Sequence, residues 1–376
     1  MKKSIVFLAA FALLSANCTK TEVVSNGALS AQKGIGFSAY TAKPTKAAQT
    51  DVTTGDFNSF QVSAIGNSAK YFDNVTFTKS GDVWVSNPLY FWPAYALDFY
   101  AYNTPAEGNG TFTRSITTTA PQTLTYSPAE DLSKQEDLVA AYAANQTESN
   151  NNSNKAIALT FNHYLTQVVV NAKCSNSNYK VVVDGVKLAN LAGEGTYTFS
   201  TGNMVANSEL VNKASSSDYI STFTAKTLTA DAKEVMADGT GKWYLVPQTV
   251  KAWDRENNMT NTGAYSSTYD HGTYLALKVL IKSKNGANIY PYSGETSAWM
   301  AVPVPSQLAF AQGKKYNVTL DFFGNKGAGY VDPEVPGELD GDSSTSDAGK
   351  SIVGGAIKFD ASVTPWGDAV EVLISL

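Results

Sequence analysis

The segment Val83–Tyr102 constrains the fold more than any other part of the chain, because it combines dense aromatic side chains with the periodicity of a strand. Its second half alternates between two faces, with Leu97, Phe99 and Ala101 on one and Asp98, Tyr100 and Tyr102 on the other. This period of two is typical of a half-buried strand. Pro88 and Pro93 cannot donate to a strand ladder and divide the segment into two strands. So many aromatic rings suit the core of a β-sandwich.

The composition indicates an all-β protein. β-Branched and aromatic residues prevail over helix formers, and only 16% of the residues are charged. The net charge is −5 and no cluster of basic residues occurs, which argues against a nucleic-acid partner. A length of 376 residues fits two domains.

Short strand-like segments recur along the chain with turn residues between them, the pattern of sandwiches. The clearest are 35–40, 60–65, 75–77, 168–170, 180–183, 195–199, 243–246, 274–281, 299–302, 316–322, 357–359, 362–366 and 370–376. Residues 137–144 also favour a strand. A short helix or turn is predicted to start at Ser127, where Ser127-Pro128-Ala129-Glu130 forms a capping box. The polar run Asn145–Asn154 predicts a solvated loop and a domain boundary near residues 155 and 156.

The N-terminus has the features of an export signal. Two lysines precede the apolar stretch Ile5–Leu14, which is too short to span a bilayer. Ser15-Ala16-Asn17-Cys18 then matches a lipoprotein signal, in which residues 1–17 are removed and Cys18 is acylated. The alternative is an ordinary secretory signal with an incidental cysteine. Cys174 is the only other cysteine, so no intrachain disulfide is expected if Cys18 carries lipid.

Residues with catalytic or metal-binding chemistry are few, so neither an enzyme, a metal site nor a cofactor is predicted. The two histidines, His163 and His271, lie far apart in sequence. His163 shares a strand face with Leu159 and Phe161, and we expect a core or boundary histidine with one nitrogen satisfied. Trp253, in a polar loop, is the candidate for stacking on a sugar ring, and the alternative is a packing residue at the rim.

Several fragments, in this order and spacing, resemble the Bacteroidales-type fimbrillin family, the Mfa-like lipoproteins of type V pili. They are Cys18, residues 35–41, Lys43, Lys46, residues 83–84, 90–93, 97–102, 158–165, 245–248, 313–316 and 363–366. The resemblance implies two tandem transthyretin-like β-sandwich domains, at 35–155 and 156–376, preceded by a signal peptide (1–17) and a tether (18–34).

The resemblance also implies a mode of assembly. A protease removes an N-terminal strand, and the terminal strand of a neighbouring subunit fills the groove. Lys33, Lys43 and Lys46 are the candidate processing sites, since the first arginine is Arg114. The expected partners are other fimbrial subunits, in a homo- or heteropolymer, a lipid anchor in the outer membrane, and a host or bacterial glycan or protein ligand. The chain is expected at the cell surface as a stalk, tip or anchor subunit.

The C-terminal segment is the candidate donor strand. Val370, Val372, Ile374 and Leu376 alternate strictly and lie on one face of an extended strand. Their burial would contribute roughly 6–12 kcal/mol before the costs of ordering. The alternation fits equally well the last strand of the chain's own domain. A rival function is that of a surface glycan-binding lipoprotein.

Overall fold

The computed structural model describes residues 34–41, 57–151, 156–207, 217–236, 241–255, 272–306, 308–324, 327–340, 347–366 and 372–374. In these ranges the chain is almost entirely β-strand, with two single-turn 3-10 helices. The predicted all-β class with little helix is confirmed. None of the helices in these ranges is long and apolar enough to cross a membrane.

In chain order, the strands are β1 (Phe37–Thr41), β2 (Ser59–Gly66), β3 (Ala69–Ser80), β4 (Val83–Ser86), β5 (Leu97–Tyr102), β6 (Thr111–Ser115), β7 (Thr123–Ser127), β8 (Val139–Gln146), β9 (Ile157–His163), β10 (Thr166–Cys174), β11 (Tyr179–Leu191), β12 (Gly195–Thr198), β13 (Asn203–Ala206), β14 (Ser217–Thr227), β15 (Lys233–Glu234), β16 (Trp243–Leu245), β17 (Gln248–Thr249), β18 (Tyr274–Ser283), β19 (Asn288–Tyr290), β20 (Ala298–Pro303), β21 (Ala309–Phe310), β22 (Lys314–Phe322), β23 (Tyr330–Val331), β24 (Lys358–Pro365) and β25 (Val372–Ile374). The 3-10 helices are Leu132–Lys134 and Ser149–Asn151.

Seven strands of the N-terminal half form one closed sheet in the order β1-β4-β3-β2-β5-β8-β9. Alternate side chains of these strands point inward and form an aromatic core. Along β9, Ile157, Leu159, Phe161 and His163 are buried while the residues between them are exposed, as the period of two predicts. The predicted boundary at residues 155 and 156 would assign β9 to the C-terminal domain. Its backbone instead pairs with β1 and β8, so the closed sheet extends to His163.

The C-terminal half contains two sheets that face each other across a second core. One has the order β15-β10-β22-β24-β25, with β16 beside β10, and the other has the order β14-β11-β18-β20-β23, with β19 beside β18. Valine, leucine and isoleucine side chains from β10 and β22 meet those from β11 and β18 in this core. The arrangement is that of a β-sandwich.

A four-stranded sheet joins the two halves of the sequence. Its order is β13-β12-β7-β6, so two strands that precede residue 155 pair with two that follow it. This sheet packs over β5, where it covers Tyr100 and Tyr102. The sequence analysis placed these two tyrosines on the outer face of a half-buried strand. The structure buries both faces of β5, because a second layer lies over the first.

The predicted helix start at Ser127 is wrong. Ser127 is the last residue of β7, which is held in place by its pairing with β6 and β12. The 3-10 helix begins later, after Asp131, whose side chain accepts a hydrogen bond from the Ser133 N–H at 3.0 Å. Asp131 therefore supplies the cap that the sequence analysis assigned to Ser127.

Candidate functional site: the groove around the first strand

The first strand, β1, completes the closed sheet. On one side it pairs in parallel with β9 over five residue pairs, from Phe37 with Ile157 to Thr41 with Phe161. On the other side it pairs with β4 through one pair only, Phe37 with Trp84. β1 thus lies between β4 and β9. Without β1, the edge of each strand that faces it would be unpaired.

Alternate side chains from Ile35 to Ala39 enter the core of the closed sheet. Ile35 and Phe37 are fully buried, and Ala39 is 4% exposed. The Phe37 ring contacts Phe77 and Phe99 edge-on, with centroid distances of 4.7 and 5.3 Å. Edge-to-face pairs of this kind add to the free energy gained by burial. Phe37 is therefore the central apolar anchor of β1.

Backbone hydrogen bonds fix the start of β1 on both sides. The Ile35 N–H donates to the carbonyl of Tyr90 at 2.8 Å, and the Ile157 N–H donates to the carbonyl of Gly36 at 2.9 Å. Gly34 also forms a β-bridge with Phe91. Removal of this segment would leave a groove lined by aromatic rings and flanked by unpaired backbone groups of β4 and β9.

The last described strand, β25, lies at the edge of a sheet in the C-terminal sandwich. It pairs antiparallel with β24 through three residue pairs: Ala361 with Ile374, Ser362 with Leu373, and Val363 with Val372. No further strand covers its outer edge within the described ranges. Two of the four candidate donor residues, Val372 and Ile374, thus lie in a short strand paired within the same chain.

The remaining predicted site residues lie outside the described ranges. These residues are Cys18, Lys33, Lys43, Lys46, Val370 and Leu376. In sequence, Lys33 precedes β1, whereas Lys43 and Lys46 follow it. Cleavage after Lys43 or Lys46 would therefore detach β1 from the rest of the chain, and cleavage after Lys33 would not.

Trp253 is a packing residue, the alternative to sugar stacking that the sequence analysis gave. Its side chain is 2% exposed and packs against Tyr274 and Tyr330, with centroid distances of 5.6 and 6.1 Å. The backbone N–H of Trp253 donates to the carbonyl of Thr273 at 2.9 Å, which fixes the backbone at this position. A buried indole offers no face to a sugar, so the glycan-binding alternative loses its candidate residue.

His163 is a core histidine with one satisfied nitrogen, as the sequence predicted. Its Nδ1 lies 2.6 Å from Asp137 Oδ2, and its Nε2 has no hydrogen-bonding partner among the described residues. Cys174 is buried, and burial raises the pKa of its thiol, which makes it a poor nucleophile. The described ranges contain no group of three or more His, Cys, Asp or Glu residues arranged to hold a metal ion.

The sequence analysis did not identify one buried polar cluster, in which Lys187 meets Asp332 and Tyr274 in the C-terminal sandwich. Lys187 lies between Val186 and Leu188 on β11, where a charged residue interrupts a run of mostly apolar residues. This interruption was the available signal in the sequence.

The model of the fimbrillin-like family matches residues 21–335, which is most of the chain. The chain belongs to the fimbrillin-like family. A fimbrial protein from Bacteroides vulgatus has a similar structure, with a TM-score of 0.56 at 16% identity, and the match covers 88% of this chain and 99% of that one. The fimbrial anchor protein Mfa2 from Porphyromonas gingivalis matches at 12% identity over 77% of this chain and 90% of its own, with a TM-score of 0.30. No protein of curated function matches the sequence.

Proposed function

We propose that this fimbrillin-like chain is a structural subunit of cell-surface fimbriae and that its subunits join by exchange of a β-strand. In this proposal the chain is exported as a lipoprotein and anchored in the outer membrane through Cys18. Proteolysis then removes β1, and the C-terminal strand of a neighbouring subunit takes its place. Membership of the family supports the fimbrial role, and the position of β1 between β4 and β9 carries the mechanism.

The physical basis is the state of the groove after β1 leaves. Backbone groups along β4 and β9 lose their partners, and the aromatic rings that surrounded Phe37 are exposed to water. An extended segment from another chain restores both the hydrogen bonds and the apolar contacts, which is strand addition to an open edge. The four apolar side chains of residues 370–376 match this requirement by their alternation.

The position of β25 is compatible with donation. Within the described ranges the strand comprises three residues, lies at a sheet edge and pairs with β24 alone. Its release breaks three residue pairs, whereas β1 in the groove makes five with β9 alone. Exchange of an edge position for a central position therefore increases the number of backbone pairs.

The same features bear on the role of the subunit. A stalk subunit needs a groove and a donor strand, whereas a subunit at either end of the polymer needs only one of them. This chain has a candidate for each, the groove around β1 and the donor segment 370–376, and we propose the stalk role. The fimbriae are then homopolymers of this chain or heteropolymers with related subunits.

The experiment compares processing and deletion variants expressed in the bacterium that makes the protein. Unheated fimbrial extracts of the wild type should give detergent-resistant ladders on a gel. The double variant Lys43→Ala/Lys46→Ala and the deletion of residues 370–376 should each abolish the ladders. Lys33→Ala, the matched control, should leave them intact. Ladders that persist without residues 370–376 would contradict the proposal.

A further inference from the structure

Lys187 and Asp332 form a buried pair on the side of the β14-β11-β18-β20-β23 sheet that faces away from the main core. Lys187 Nζ lies 2.9 Å from Asp332 Oδ2, and the side chains are 3% and 0% exposed. The two atoms are not aligned as a hydrogen bond, and in the part of the chain that the structure describes Oδ2 has no hydrogen-bonding partner. The amine thus lies at ion-pair distance from a carboxylate oxygen that accepts no hydrogen bond among the described residues.

The other oxygen of Asp332 is held by three donors. Oδ1 accepts hydrogen bonds from the backbone N–H groups of Glu334 at 2.8 Å and Val335 at 2.9 Å, and from the Tyr274 hydroxyl at 3.2 Å. Two backbone donors and a hydroxyl around one oxygen are the components of an oxyanion hole. Negative charge that develops on Oδ1 would be stabilised in place.

The surroundings keep water away from the pair. Lys187 Nζ lies 5.1 Å from the centroid of the Tyr274 ring and 5.5 Å from that of Trp299. Lys187 faces Ala276 on β18, and Ala276 faces Ala301 on β20, so small side chains leave room for the lysine to reach Asp332. Isolation of a charged amine and a charged carboxylate from water is costly, and conversion to a neutral product removes this cost.

We propose that Lys187 and Asp332 form an intramolecular amide bond. A proton passes from Nζ to Oδ2, and the neutral amine attacks Cγ of the carboxylic acid. Negative charge develops on Oδ1 within its three donors. A second proton moves from nitrogen to Oδ2, the Cγ–Oδ2 bond breaks and one water molecule leaves. The product keeps one hydrogen on nitrogen, and neither an oxidant nor a co-reactant is required.

The Tyr274 hydroxyl has a positioning role in this reaction. It accepts a hydrogen bond from Lys187 Nζ at 3.0 Å and donates one to Asp332 Oδ1, so it bridges nucleophile and electrophile. The link joins β11 to the residue that follows β23 and so fastens the sandwich across its sheet. This inference does not depend on strand donation, since it concerns each subunit alone.

The test is peptide mass spectrometry of the folded wild-type protein after tryptic digestion. The link blocks cleavage after Lys187, so residues 181–213 should be recovered joined to residues 327–350, with the mass of the two peptides less one water molecule. Recovery of residues 181–187 and 327–350 as separate peptides of unmodified mass would overturn the proposal.

Two variants provide matched controls. Lys187→Arg retains the charge and the tryptic site but cannot form this bond, so residues 181–187 should be released. Lys173 forms a more exposed pair with Asp321, at 3.4 Å, and Lys173→Arg should leave the linked peptide unchanged. Loss of the link in Lys173→Arg, or its persistence in Lys187→Arg, would contradict the assignment. If Lys187→Arg fails to fold, the wild-type digest still decides the question.

Discussion

The imidazole of His163 and the indole of Trp366 lie face to face, with ring centroids 4.4 Å apart and planes inclined by 6°. His163 is the last residue of the closed N-terminal sheet, and Trp366 follows β24 of the C-terminal sandwich. Asp137 fixes the imidazole through Nδ1, and Tyr244 stacks near the indole at 5.6 Å. This stack joins the two halves of the molecule.

Replacement of Trp366 should therefore destabilise the whole chain. Its side chain is 2% exposed, and truncation of a buried tryptophan costs about 3–5 kcal/mol of the free energy of unfolding. We expect Trp366→Ala to lose this amount in urea unfolding, and the matched variant Trp366→Phe to lose less because a ring remains over His163. Equal stability of Trp366→Ala and the wild type would show that the stack does not join the halves.

Phe37→Ala should destabilise the unprocessed subunit by about 3–5 kcal/mol, because the ring leaves a cavity among Phe60, Phe77 and Phe99. Ser38→Ala, on the same strand but half-buried, is the matched control and should change the free energy of unfolding little. Denaturant unfolding before any proteolysis measures both. If the two variants were equally stable, Phe37 would not be the anchor of β1.

Stability should fall in acid through Asp73. Burial alone raises the pKa of this carboxyl, but hydrogen bonds from Arg114, Lys70 and Ser63 outweigh it and hold the pKa well below its ordinary value of 3.8. The stabilisation is therefore complete above pH 3.8 and is lost as the pH falls below it. Because the side chain is one-third exposed, we expect about 1 kcal/mol after solvent screening.

Asp73→Asn tests this pH dependence. The wild type should be more stable than the variant at neutral pH, and the difference should shrink below pH 3.8 as Asp73 takes up a proton. Arg114→Met removes the hydrogen-bonding partner that lowers the pKa of Asp73 most. In this background, Asp73→Asn should therefore cost less stability at neutral pH than it does in the wild type. A gap between wild type and Asp73→Asn that stays constant down to strong acid would contradict the role of Asp73.

Lipid attachment is predicted at Cys18 alone. Cys18→Ala should abolish incorporation of a palmitate analogue and remove the protein from the outer-membrane fraction. Cys174→Ala is the control and should label normally, because this thiol is buried in the folded sandwich. Normal labelling of Cys18→Ala would leave an ordinary secretory signal as the better interpretation.

The sequence predicted those parts of the fold that depend on one strand at a time. The alternation of Ile157, Leu159 and Phe161 identified an inward face that the structure confirms. It did not reveal which strands become neighbours, since partner choice depends on contacts between distant residues. The pairing of β9 with β1 and the pairing of β7 with β12 were both unforeseen for this reason.

Contacts between distant residues also decide which side chains are buried. Some residues whose sequence neighbours are polar are therefore buried in the structure. Trp253 stands among polar residues, but its side chain packs against Tyr274 and Tyr330. Tyr100 and Tyr102 alternate like surface residues, yet a second layer covers them. Lys187 and Asp332 are separated by more than a hundred residues, so only the folded sheet brings them into contact.

The central claim is that the C-terminal strand moves from its own sheet into the groove of a neighbouring subunit. Two double-cysteine variants test it most directly, because one can form a disulfide only before the move and the other only after it. Leu373 faces Ser362 in the same chain, whereas Ala158 and Thr160 are exposed on β9, beside the position of β1. Leu373→Cys is combined either with Ser362→Cys or with a cysteine at 158 or 160, in a Cys174→Ala background.

In assembled fimbriae we predict that the cysteine at 373 links to the cysteine at 158 or 160 of the next subunit, which gives a ladder of covalent multimers on a non-reducing gel. The Ser362→Cys combination should close only within unprocessed monomers. Fimbriae in which the cysteine at 373 still links to the cysteine at 362 of its own chain, and never to β9 of a neighbour, would contradict strand donation.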